Sequence, residues 1–265
     1  MSFYPSSKEL PALGALCLDY TDDIHRPPGD PLNALSFPFP LLFEKVQKAS
    51  LWNVVSSREY PDEFLQQFVD ACVKLANRGA VGIITSCGFL SQVQKRIAGK
   101  IPIPIATSSL LQVPLLLAMR PESEHIGIIT FDSSTLGDVH FEGIGVTKEM
   151  RERISVIGCP DDGALRGVIQ YGDAYIHEEL EAEIVECAQE LLIHDPKISV
   201  FVLECTQMPP YAQAVFRETG LPVYDVITMI DWFYSGLEPK TTLPDDNKDG
   251  GKRRRARDAK ELVKN

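Results

Sequence analysis

The stretch Gly79-Ala80-Val81-Gly82-Ile83-Ile84-Thr85-Ser86-Cys87-Gly88-Phe89-Leu90-Ser91 constrains the chain most: an apolar, β-branched run that ends on a cysteine and then turns. Such an unbroken run reads as a strand buried on both faces, the habit of parallel sheets. The arrangement recurs in the second half, where Ser199-Val200-Phe201-Val202-Leu203-Glu204 runs into Cys205-Thr206-Gln207-Met208-Pro209-Pro210. Ligands in open α/β sheets collect outside the carboxyl ends of the strands, which makes both thiols candidate functional groups. A single strand-end cysteine is more often a small core residue. Two in matched contexts shift the reading toward function.

The bulk of the chain sets the frame. Its 265 residues suffice for one large or two modest α/β units, and 44% hydrophobic with 24% charged residues is ordinary for a globular protein. No apolar run reaches membrane-spanning length, and the first residues lack a basic segment followed by an apolar one, so a cytoplasmic protein is expected. The six cysteines are then expected as free thiols. They form no CxxC pair or Cys/His cluster at metal-ligand spacing, so no metal site is expected. A net charge of −11 disfavours nucleic acid as a partner of the body of the protein.

Along the chain, Ala12 to Leu18 reads as the first buried strand. The segment from Thr21 to Asn33, with Arg26-Pro27-Pro28-Gly29-Asp30, reads as a loop placed to cover a strand end. Phe39 to Lys48 has helical spacing, Leu51 to Val55 reads as a strand, and Tyr60 to Asn77 as an amphipathic helix stopped by Gly79. The strand of Cys87, a helix from Ser91 and a strand at Ile101 to Ala106 follow. From His125-Ile126-Gly127-Ile128-Ile129-Thr130 the pattern restarts, giving two domains: residues 9–112 plus 221–237 with Cys87, and 113–220 with Cys205. Residues 238–265 read as a flexible tail with the basic cluster Lys252-Arg253-Arg254-Arg255.

A thiolate and a thiol on opposite faces of a carbon acid can invert its configuration, one removing a proton while the other delivers one. A free thiol titrates at about 8.5, close enough to neutrality for either role, and a helix N-terminus beyond the strand end favours the thiolate. Hydrogen bonds to the developing enolate would lower the remaining barrier.

Ala80-Val81-Gly82-Ile83-Ile84-Thr85-Ser86-Cys87-Gly88 and Val202-Leu203-Glu204-Cys205-Thr206-Gln207-Met208-Pro209 resemble the two cysteine motifs of the aspartate/glutamate/hydantoin racemase superfamily. The segment from Pro28-Gly29-Asp30 to Asn33, followed by Phe37-Pro38-Phe39-Pro40, is similar to one in its less characterised members. The resemblance implies two similar Rossmann-like α/β domains with parallel sheets, related by a pseudo-twofold axis, with the site between them. It implies cofactor-independent racemisation or epimerisation of an amino acid or hydantoin-like substrate, with Cys87 and Cys205 as the two bases. Thr206 matches a position that holds the substrate carboxylate. Ser86, Gly88, Phe89, Thr130 and Gln207, with Asp30 and Asn33 of the loop, are the further substrate-binding candidates, and a homodimer is a possible assembly.

Gly88-Phe89 and Gln207 depart from the polar or ionisable residues of the acidic amino-acid racemases, which implies a bulkier or less acidic substrate. Decarboxylation and double-bond isomerisation, known in the same superfamily, stay open as alternatives. So does a non-enzymatic two-lobed small-molecule sensor. A cysteine hydrolase lacks a histidine beside either thiol.

Overall fold

The computed structural model describes residues 10–20 and 24–238. Two four-stranded, wholly parallel sheets carry the fold. The first contains β1 (Leu13–Leu18), β2 (Leu41–Val46), β3 (Ile83–Thr85) and β4 (Ile105–Ala106) in the order β2-β1-β3-β4. The second contains β5 (His125–Thr130), β6 (Ile154–Gly158), β7 (Ile198–Leu203) and β8 (Val223–Tyr224) in the order β6-β5-β7-β8. The second order repeats the first, so β3 and β7 are equivalent strands, and each leads directly into a cysteine. Chain order reverses beside both, between β1 and β3 and between β5 and β7, where open parallel sheets hold their ligands.

Helix Asp62–Asn77 buries Leu65, Phe68, Val69, Cys72 and Leu75 along one stripe and ends before Gly79, whose φ of +94° suits glycine. His177–His194 plays the matching part in the second half, burying Leu180, Ile184, Cys187, Ala188 and Leu191.

Three sequence expectations need correction. The segment read as a helix over Phe39 to Lys48 contains β2, paired with β1 from Leu13↔Leu41 to Leu18↔Val46. Leu51 to Val55, read as a strand, instead contains a short helix, Leu51–Val54. Residues 221–237 do not fall wholly with the first half: β8 pairs with β7, as Phe201↔Val223 and Val202↔Tyr224. Only the following helix, Val226–Leu237, returns to the first sheet, packing Val226, Met229, Ile230 and Tyr234 with Leu13, Ala15 and Ile84. Asp225 caps that helix by accepting from the Thr228 amide. The basic cluster of the tail lies outside the described residues.

Candidate active site

Both cysteine turns open onto one cleft. The β7 strand ends at Leu203, and Glu204, Cys205, Thr206 and Gln207 pass across the end of the first sheet. There the Thr206 hydroxyl donates to the Ser86 carbonyl at 2.9 Å, tying one cysteine turn to the other. A second tie lies alongside, from the Ser109 hydroxyl to the Leu203 carbonyl at 2.8 Å. Cys87 and Cys205 both face the cleft yet are only 7% and 9% exposed. The cleft spans about 390 Å³, the solvent at its mouth included. That volume falls in the range of small-molecule pockets.

Its remaining wall combines apolar bulk with few polar groups, the usual composition of a small-molecule site. Ile24, Leu51, Val55, Phe89, Phe131 and Ile169 supply the bulk. Tyr20 hydrogen-bonds the Cys87 sulfur. Among the described residues lining the cleft, Arg26 is the one cationic side chain and Glu204 the one carboxylate.

Glu204 is fully buried in its surroundings. One carboxylate oxygen, Oε2, accepts from the Thr130 hydroxyl at 2.7 Å. The other, Oε1, is buried without a hydrogen-bond partner. Burial pushes this carboxyl up to about 7, against the Thr130 and Phe131 hydrogen bonds that pull it down. Gly88 makes room for it: a Cβ there would stand 2.1 Å from Glu204 Oε1, a distance that side chains do not reach without displacement.

The thiols do not carry the lowered pKa expected from a strand-end position. Burial, and then the Glu204 charge, push Cys87 up to about 12, although the Phe89 amide and the Tyr20 hydroxyl stabilise its thiolate. Cys205 is raised for the same two leading reasons, with the Gln207 amide acting against them. Removal of solvent outweighs the local amides. Both sulfurs are therefore held toward the neutral thiol.

Of the expected contact residues, Ser86, Gly88, Phe89, Thr206 and Gln207 line the cleft with the two cysteines. Asp30, Asn33 and Thr130 do not. Asp30 is buried behind the wall, paired with Arg26 Nη1 at 2.8 Å, and accepts from the Gln207 amide group and the Leu32 backbone amide. Burial raises its pKa even so. Asn33 caps a short turn by accepting from the Leu35 amide and donates to the Arg26 carbonyl. These two residues set the position of Arg26, while Thr130 sets that of Glu204.

Sequence reasoning passed over Tyr20, Arg26 and Glu204 as site residues. Glu204 had a legible signal: a lone carboxylate ends an otherwise apolar, buried strand, where an ion is kept only for a purpose. Tyr20 and Arg26 sit at the end of β1 and in the loop beyond it, and no local pattern reveals what they face. Among the described residues, no three His, Cys, Asp or Glu side chains gather as a metal site, and no helix is long and apolar enough to cross a membrane.

No family model matches the chain. Among curated proteins it is similar to dimethylsulfoniopropionate lyase 7 of Emiliania huxleyi (strain CCMP1516), with 31% identity over 236 residues, covering 86% of this chain and 68% of that one. It is also 31% identical over 230 residues to the dimethylsulfoniopropionate lyase of Durusdinium sp. clade D, covering 85% of this chain and 75% of the other. Among solved structures, unliganded arylmalonate decarboxylase matches with a TM-score of 0.52 at 15% identity, over 86% of this chain and 92% of its own. Glutamate racemase from Campylobacter jejuni subsp. jejuni matches with a TM-score of 0.53 at 11% identity, over 87% and 89%. These two share its fold. The relatives of matching sequence show that this chain, built on the two-sheet fold it shares with those decarboxylase and racemase structures, is an enzyme that belongs to the dimethylsulfoniopropionate lyase family.

Proposed function

We propose that the protein is a cofactor-independent lyase that removes a proton from the carbon next to a carboxylate and expels a sulfonium group from the next carbon, with dimethylsulfoniopropionate or a close analogue as substrate. The observation that carries this reading is a tight cleft whose described residues offer two thiols, one cation and one carboxylate. Those groups suit a small zwitterionic carbon acid better than a dicarboxylate. Acidic amino acids would bring a second negative charge toward Glu204 and find one guanidinium, already engaged by Asp30.

Arg26 holds the substrate carboxylate, since a guanidinium matches it in shape and charge. A sulfonium cation entering the cleft brings positive charge beside the two sulfurs, which favours loss of a thiol proton to solvent. The thiolate then takes the α-proton. The electron pair of that C–H bond becomes the carbon–carbon double bond, and the C–S bond breaks with its pair onto sulfur. Acrylate and neutral dimethyl sulfide result, and the base is left as a thiol. The sulfonium is already a good leaving group, so the step asks for no further cofactor.

Racemisation stays the second reading because two thiols, one from each half, line the cleft, and inversion uses both. Incubation of the purified protein with dimethylsulfoniopropionate should release dimethyl sulfide and acrylate in equal amounts, measured by headspace gas chromatography and proton NMR. Absence of both products, with α-deuterium exchange and inversion of an amino acid or hydantoin in D₂O, would replace the lyase by the racemase.

A further inference from the structure

We propose that Glu204 is the counter-ion for the positively charged head of the substrate, so that the cleft selects onium carboxylates over uncharged-head acids of the same shape. This deepens the lyase reading and rests on it for the class of substrate.

The geometry comes first. Glu204 lines the cleft next to Cys205, its Oε2 fixed by the Thr130 hydroxyl, while Oε1 is buried with no hydrogen-bond partner and lies against Gly88 of the opposite turn. A buried carboxylate oxygen left unanswered is costly, and a group of that kind calls for a partner or a role that explains it. The one cation among the described residues of the wall, Arg26, is placed by Asp30, which also takes the Gln207 side chain. Among the described residues, Glu204 and Arg26 thus give the wall one ionisable group of each sign.

The chemistry of the missing partner follows. A methylated sulfonium or ammonium cannot donate an N–H or O–H hydrogen bond, so a recognition site for it uses a carboxylate and aromatic or apolar surface instead. Tyr20, Phe89 and Phe131 provide that surface in the same wall. Exclusion of water strengthens the charge pairing.

Calorimetric binding to the full-length enzyme tests the assignment without turnover. The probes are β-trimethylammonio propanoate, which carries the cation, and β-tert-butyl propanoate, its uncharged isostere. The wild type should bind the cation at least about tenfold more tightly. In Glu204→Gln that ratio should fall to within about threefold of unity, with binding of the isostere kept. Glutamine can still accept from Thr130 and removes a buried charge, so folding should survive. Glu204→Asp, checked by circular dichroism, replaces it if folding is lost, and withdrawal of the carboxylate should likewise shrink the ratio. Equal binding of the two probes by the wild type, or a preference unchanged in a folded variant, overturns the proposal. Lyase turnover is measured separately. Cation preference without dimethyl sulfide release would sink the lyase reading and leave Glu204 as an onium counter-ion, whereas release without preference would do the reverse.

Discussion

The two cysteine turns sit at equivalent places in two sheets of the same strand order, yet they differ chemically. After β3, Cys87 is followed by Gly88 and Phe89, which supply backbone amides and apolar bulk. After β7, Cys205 is flanked by Glu204, Thr206 and Gln207, each tied by hydrogen bonds into the surrounding structure. Repetition of the backbone preserved the place of the sulfurs but not their surroundings. A pair of interchangeable bases would be served by similar flanks. Unequal flanks suit a reaction in which one side takes the proton and the other holds the substrate, as elimination requires.

The sharpest way to break this comparison is to remove each sulfur in turn. For elimination, Cys87→Ser and Cys205→Ser should give unequal losses of dimethyl sulfide release. The larger should be about 10²- to 10⁴-fold, the usual weight of a general base. Equal large losses would restore the symmetric two-base reading. Gly88→Ala strikes the junction of the turns, where the new Cβ would meet Glu204 Oε1 at 2.1 Å and its carbonyl oxygen at 2.5 Å. Turnover should drop by about tenfold or more while the far-ultraviolet circular dichroism is retained, since the clash is confined to the cleft. Unchanged kinetics would show that the turns do not need this close approach.

The smallest effect sharpens the contrast through stability. The Glu204 carboxyl is raised from the ordinary 4.5 to about 7, so the native state holds a proton that the unfolded chain has lost across this interval. Its stabilising contribution is full below about pH 4.5 and disappears as pH rises through about 7. Glu204→Gln should therefore raise unfolding free energy at pH 8 by roughly 1–3 kcal/mol and flatten its fall between those pH values, read from urea melts. A variant no more stable than the wild type at pH 8 would remove the burial strain assigned to this carboxyl.

Much of the fold was legible because a strand buried on both faces leaves a continuous apolar run, as at Ile83 to Thr85 and Ile198 to Leu203. The exchange of helix and strand around residues 39–55 has a physical cause. β2 is an edge strand whose Glu44 lies within reach of Lys74 and Arg78, so its sequence mixes charge with apolar residues at spacings that also fit a helix. Leu51 to Val55 is too short for periodicity to separate helix from strand. The two sulfurs could be read from the strands that carry them. Arg26 and Tyr20 could not, because the loop and strand end that bear them meet the second half only through the tertiary fold.

The Thr206 to Ser86 and Ser109 to Leu203 bonds cross from one half to the other at the cleft floor. A wide jaw-like parting of the two sheets would rupture that seam. Substrate and product therefore exchange with that seam intact, past a wall to which Ile24 and Ile169 contribute from separate segments of the two halves.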